Sequence, residues 1–242
     1  MPVSLKNQSV LVVGASSGIG RSIAIQFARE GAAVMASARR QDRLQLLQND
    51  LAEENIDIGI STADASNPAA MEELAARTVE QFEKIDILVY ASGTNTPDRA
   101  MAKLSTKSWD EVLCVNLNGA YYATRAVLPA MRERKSGHLI YIASISGLVP
   151  DLSGAAYQAS KRGMVGMAHA IRVEEKENGI RTCVVCPGLV DTEILEKRPV
   201  KPPAEMIAKA LQSEDVAEAV LFVAKLPARA AVPELQLLPT VL

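Results

Sequence analysis

The sequence predicts a doubly wound α/β fold, with a parallel sheet of about seven strands and helices on both faces. Two observations predict it. Short β-branched apolar runs alternate with longer helical patterns along the 242 residues, as strand–helix–strand crossovers require. Most of the runs are apolar at consecutive rather than alternate positions, as expected when helices cover both faces of a sheet. In such sheets a ligand sits beyond the carboxyl ends of the strands, where strand order reverses. The residues just after each strand are therefore where chemistry is expected.

The predicted strands are residues 9–13, 33–37, 57–62, 85–91, 138–143, 180–186 and 234–238. Between them, 22–30 reads as a helix stopped by Gly31. Residues 42–54 carry Leu44, Leu47 and Leu51 at helical spacing. Asn67 is a cap for a helix over 68–82, with Pro68 at its first position. A helix over 155–176 follows the fifth strand. Ser213, with Glu214 and Asp215 placed favourably at a helix N-terminus, opens a helix over 216–226. No repeat or linker interrupts the pattern, so residues 1–242 are read as a single domain.

Composition narrows the function. Hydrophobic residues make up 48% and charged residues 22%, so the chain buries a sizeable core. The net charge of −2 and scattered Lys and Arg argue against nucleic acid. No apolar run reaches membrane-spanning length, and glycines break the run after Lys6, which argues against a signal peptide. Three cysteines are too few and too odd for a disulfide framework, which predicts a cytoplasmic protein.

The first strand leads into Gly14-Ala15-Ser16-Ser17-Gly18-Ile19-Gly20 and then a helix. Glycine there lets the backbone approach a pyrophosphate, whose charge meets the N–H groups of the helix N-terminus. A plain tight turn is the alternative. The second strand ends Ala36-Ser37-Ala38-Arg39-Arg40. It lacks the acid that would bind a ribose 2′-hydroxyl, and two guanidiniums suit a 2′-phosphate, so NADP (NADPH) is expected over NAD. Two solvated arginines at a helix start are the alternative.

Tyr157 and Lys161 are four apart, on one face of a helix, and Ser144 ends a strand before them. A lysine ammonium favours a phenolate and brings a tyrosine toward the range useful for acid–base catalysis. Ser144 suits a hydrogen bond to a substrate carbonyl oxygen. Cys183 and Cys186 fall within a strand and read as buried residues on opposite faces, and no metal is required.

With these motifs in order, the sequence resembles the short-chain dehydrogenase/reductase family, in its short single-domain branch and over essentially the whole chain. The resemblance implies a Rossmann-type fold and reversible hydride transfer between nicotinamide and a carbonyl or secondary alcohol. It assigns Asn116, Ser144, Tyr157 and Lys161 to catalysis. It also implies that Asp64, with Ala65, meets the adenine. Ala91 and Gly93 meet the adenosine ribose, Pro187, Gly188, Val190 and Thr192 the nicotinamide end, and Lys161 the nicotinamide ribose. Two positions depart from the family: Val13 replaces a Thr, and Tyr90-Ala91-Ser92-Gly93 replaces Asn-Asn-Ala-Gly, leaving the brace of the fourth strand's end unexplained.

Residues 193–212 are expected to form a substrate lid. Leu148, Leu152, Leu189, Ile194 and Leu195, with Ser144 and Tyr157, are the expected substrate contacts, implying a mostly apolar carbonyl compound. Small residues Ala156, Ser160, Gly163 and Gly166 predict a face for a homo-oligomer, a dimer or tetramer. The competing functions are a 3-oxoacyl-thioester reductase and a non-catalytic dinucleotide sensor.

Overall fold

A computed structural model describes residues 3–241. Residues 1, 2 and 242, the outer limits of the expected domain, lie outside the described residues. Seven parallel strands form one sheet in the order β3-β2-β1-β4-β5-β6-β7. They are β1 (Ser9–Val13), β2 (Ala33–Ala38), β3 (Gly59–Thr62), β4 (Ile87–Tyr90), β5 (Gly137–Ile142), β6 (Ile180–Pro187) and β7 (Glu234–Leu237). The order runs outward from β1 on one side and from β4 on the other, so these neighbours mark the switch point. Their register aligns Val13 with Tyr90, which brings the turn after β1 beside the loop after β4.

Each strand feeds both layers of the core. In β1, Val10 and Val12 face one apolar layer, while Leu11 and Val13 face the other. The consecutive apolar runs arise from this two-sided burial. The first layer holds α1 (Gly18–Arg29), α2 (Gln41–Glu53) and α8 (Ser213–Ala224), which follows the single-turn α7 (Ala204–Ile207), packed through Phe27, Leu47 and Val220. The second holds α3 (Pro68–Phe82), α5 (Gly119–Glu133) and α6 (Ala155–Glu174), packed through Leu74, Val127 and Met164. Cys183 belongs to the first layer and Cys186 to the second, the opposite-face burial expected of them. Burial pushes their thiols up to about 12 and about 11, leaving both un-ionised at neutral pH.

Several boundaries follow the expected physics. Asn67 Oδ1 accepts from the Ala69 and Ala70 N–H groups, capping α3. The cap of α8 differs from expectation. Gln212 precedes the helix and its N–H donates to Asp215 Oδ2, so Ser213 is the first helical residue instead of the cap.

A larger difference is α4 (Thr106–Leu113), which continues through a widened turn, Cys114–Asn118, into α5. Gly119 and Pro129 interrupt the helical pattern in the sequence, which hid this long element. In the widened turn, the Gly119 N–H reaches back to the Cys114 carbonyl, one residue further than in an α-helix. Among the described residues, no helix is long and apolar enough to cross a membrane.

Candidate active site

A cleft of about 770 Å³ opens over the carboxyl ends of the strands and spans the switch point. One half is built from backbone turns. Gly14 has φ +99°, and a Cβ there would come within 2.5 Å of the Ser92 backbone nitrogen. Gly20, in the first turn of α1, makes the other close approach, since a Cβ on it would stand 2.2 Å from the Gly14 carbonyl oxygen. The turn therefore packs too tightly for side chains, and α1 begins at Gly18 with its N-terminus at the cleft. Ser16, Ser17, Gly18 and Ile19 line this end, together with Arg39, Arg40, Asp64, Ala65, Ala91 and Gly93.

Arg40 is held firmly. Its Nη2 donates to Ser17 Oγ at 2.7 Å and to Ser16 Oγ at 3.0 Å, while Nη1 donates to Glu193 Oε2 at 2.9 Å. Asp64 Oδ1 accepts from the backbone N–H and the hydroxyl of Ser66. Its carboxylate thus braces the loop after β3.

The middle of the cleft holds the expected acid–base residues. Lys161 Nζ lies 5.6 Å from the centre of the Tyr157 ring, the stacked arrangement expected of residues four apart on α6. It donates to the Ile142 carbonyl at 2.9 Å and is buried. That burial lowers its pKa to about 8. Enclosure pushes Tyr157 up to about 12, against the pull of Ser144, Arg198 and Arg99. The expected acidification of Tyr157 by Lys161 is therefore corrected: desolvation dominates, and the group is a phenol at neutral pH.

Ser144 follows β5. Its Oγ accepts from the Ser146 N–H at 3.2 Å and lies 3.1 Å from Ser146 Oγ, which donates to Asp151. Ser144 and Tyr157 both line the cleft, as do Pro187, Gly188, Val190 and Thr192.

Asn116 does not line the cleft. It sits fully buried in the widened turn, where Oδ1 accepts from the Thr94 N–H at 2.7 Å. Its Nδ2 donates to the Thr94 carbonyl and to Ser160 Oγ, both at 3.0 Å. The side chain thus clamps the loop after β4 against α6.

The remaining end departs from the expected apolar lining. Leu189, Ile194 and Leu195 line it. Leu148 instead packs against the second core layer, and Leu152 is 95% exposed to solvent. Both were expected from residue type alone, which does not say which way a loop turns its side chain. Polar residues replace them: Thr94, Asn95, Arg99, Asp151, Ser153, Lys197 and Arg198. Arg99 donates to the Lys197 carbonyl at 2.8 Å, and Lys197 Nζ donates to Thr94 Oγ1 at 2.5 Å. The sequence offered no periodicity or motif at 94–99 or 197–198 from which these residues could be picked out.

A family model described as short chain dehydrogenase matches residues 8–202. The chain belongs to the short-chain dehydrogenase family. It is 35% identical to the NADP-dependent 3-hydroxy acid dehydrogenase YdfG of Salmonella typhi, covering 95% of this chain and 94% of that one. Among solved structures, a serine dehydrogenase complexed with NADP+ matches at TM-score 0.87 and 36% identity, covering 95% and 94% of the two chains. An actinorhodin polyketide ketoreductase variant with NADPH matches at TM-score 0.88 and 31% identity, covering 98% and 97%.

Short-chain dehydrogenases use a nicotinamide coenzyme, and this cleft fits one. It has the volume of a dinucleotide site and a glycine turn that leaves room at a helix N-terminus. The structure also explains how this short-chain dehydrogenase braces β4 without the usual second Asn. The buried Tyr90 donates from its hydroxyl to the Val115 carbonyl, next to Asn116. Gly119 makes the room, because a Cβ there would stand 2.2 Å from the Tyr90 oxygen. The Gly119–Tyr90 pair was unread in the sequence, where Gly119 registers only as a helix breaker.

Proposed function

We propose that this short-chain dehydrogenase is an NADP-dependent oxidoreductase interconverting a secondary alcohol and a carbonyl on a small carboxylate-bearing substrate. The carrying observation is the composition of the cleft beyond Tyr157. Arg99, Lys197 and Arg198 converge there, and the Arg198 side chain makes no ion pair among the described residues. Guanidiniums bind carboxylates through paired hydrogen bonds. The relative named a 3-hydroxy acid dehydrogenase and the neighbour named a serine dehydrogenase support a hydroxy acid, since serine is itself one.

A bound nicotinamide coenzyme supplies or accepts the hydride. Tyr157 is the general acid and base: it gives its proton to the substrate oxygen in reduction and takes it back in oxidation. Its pKa of about 12 keeps it protonated near neutral pH, the form reduction needs. The Ser144 hydroxyl turns from Ser146 to the same oxygen and fixes its position. Lys161 positions Tyr157 and reaches the coenzyme ribose, while Asn116 acts through the Thr94 loop. Arg39 and Arg40, with no acid at the end of β2, favour the 2′-phosphate of NADP over NAD. Asp64, Ala65, Ala91 and Gly93 serve the adenosine half, and Pro187 to Thr192 the nicotinamide half.

We further assign residues 193–212 to a lid and the chain to a single catalytic domain. Three free cysteines fit a reducing compartment, hence the cytoplasm. We also propose a homo-oligomer, with the open face of α6 at Gly166 in the contact. Ala156 and Ser160 pack internally, a Cβ on Gly163 would meet Leu117, and only Gly166 of the four faces open space. Light scattering that reports a monomer removes it.

The test is a steady-state panel of 3-hydroxy acids, their methyl esters and 3-oxoacyl thioesters, run with NADP(H) and NAD(H). The free acids are expected to have KM values at least about tenfold below their esters. Equal use of esters overturns the carboxylate assignment. A preference for acyl thioesters favours the oxoacyl reductase, and no turnover of any alcohol favours a sensor.

A further inference from the structure

The lid and the phosphate-reading end of the cleft are joined by one side chain. Glu193 begins the short helical segment Glu193–Lys197, which carries Ile194 and Leu195 into the cleft. Its two carboxylate oxygens are divided between two arginines of the β2–α2 junction. Oε2 takes Arg40 Nη1 at 2.9 Å, and Oε1 takes Arg43 Nη1. The preceding residue is also tied to this end, since a Cβ on Gly18 would stand 3.1 Å from Thr192 Cγ2.

Arg40 has no spare edge while this arrangement holds. Nε and Nη2 are on the serine hydroxyls of the glycine turn, and Nη1 is on Glu193. A phosphate monoester carries between one and two negative charges near neutral pH and needs donors from the same guanidinium. Placed on Arg40, it would lie against the Glu193 carboxylate, a like charge competing for the same donors. Glu193 is therefore an internal anion in the place a 2′-phosphate would take.

We propose that Glu193 is a specificity-determining latch: it fastens the lid to Arg40 and Arg43, and an incoming 2′-phosphate, but not a 2′-hydroxyl, displaces it. This rests on the reading that Arg40 receives the 2′-phosphate of NADP. Its consequence is that binding at the adenosine end loosens the segment that walls the substrate end. A coenzyme without the phosphate leaves the segment fastened. The pair is partly exposed, at 41% for Arg40 and 44% for Glu193, so its energetic effect is modest.

The test uses fragments that lack nicotinamide, so the far end of the cleft does not contribute. Adenosine 2′,5′-bisphosphate and 5′-AMP, which differ only in the 2′-phosphate, are titrated calorimetrically into the wild type and Glu193→Gln, which keeps the side-chain size. Wild type is expected to prefer the 2′,5′-bisphosphate. Glu193→Gln is expected to bind that fragment about three- to fivefold more tightly, with 5′-AMP unchanged. Limited trypsin digestion supplies a second readout at the Lys197–Arg198 bond, the bond after Arg198 being closed to trypsin by Pro199. Cleavage in wild type is expected to accelerate with the 2′,5′-bisphosphate and not with 5′-AMP, while Glu193→Gln is cleaved fast throughout.

A wild-type preference for the 2′,5′-bisphosphate with no change in Glu193→Gln overturns the latch and leaves the NADP reading standing. Equal tightening of both fragments also overturns it, since Glu193 then acts as a general surface charge. Equal binding of both fragments by wild type overturns the NADP reading, and the latch with it.

Discussion

The two ends of the cleft are built in different ways. At the coenzyme end the geometry belongs to the backbone: a glycine turn, strand ends in register and a helix N-terminus. At the end beyond Tyr157, proposed for the substrate, it belongs to long side chains on loops, with Arg99 and Lys197 held by contacts between segments about a hundred residues apart in the chain. A backbone-built site is specified by residues close in sequence. A side-chain-built site is specified by how distant loops meet, so it can change its ligand without disturbing the sheet.

The sharpest way to break this contrast is at the seam. Tyr157→Phe removes one oxygen between the two ends, and turnover is expected to fall by about a thousandfold, within the range of general acid–base effects. Coenzyme affinity, read by equilibrium titration, is expected to hold within about twofold, because the glycine turn is untouched. Full activity in this variant would remove the acid–base assignment.

The substrate end is tested next. Arg99→Ala and Arg198→Ala each remove one guanidinium, and KM for a carboxylate substrate is expected to rise by about ten- to fiftyfold. The KM for coenzyme, and turnover of an uncharged ketone, are expected to stay within about twofold. A parallel rise in coenzyme KM would show that the two ends are not separable.

The last effect lies away from both ends and bears on stability instead of activity. His138 stands near the start of β5, at the end of the strands opposite the cleft, buried with its Nδ1 unbonded among the described residues. Burial, with Arg181 nearby, lowers its pKa to about 3, from the ordinary value of 6.5. The unfolded chain binds a proton below 6.5 and the folded chain does not until about 3. Stability is therefore lost as pH falls through that window, by about 1.4 kcal/mol per pH unit. Urea unfolding at pH 7, 6, 5 and 4 is expected to show a shallower decline for His138→Leu than for wild type. Identical slopes would mean that His138 takes up no proton on unfolding.

This contrast also explains what could be read from the chain before folding. Strands such as Ser9–Val13, the Asn67 cap and the glycine turn depend on neighbours in sequence, and the structure places them where they were expected. The stacking of Lys161 on Tyr157 follows from helical spacing alone. Leu148 and Leu152 failed because being apolar does not decide whether a loop residue faces a pocket, the core or water. The pKa of Tyr157 was misjudged because desolvation depends on the whole enclosure, which two residue types cannot reveal. The basic cluster and the Glu193 contacts join segments with no shared pattern, so no local signal marks them.

The phenol of Tyr90 and the bare Cα of Gly119 constrain how this chain can evolve. Enlarging residue 119 alone drives an atom into the tyrosine oxygen. Shrinking residue 90 alone leaves a void and an unanswered carbonyl at Val115, one residue from the clamp on Thr94. Neither position can change size alone, so the two are locked together and are expected to covary across descendants of this sequence.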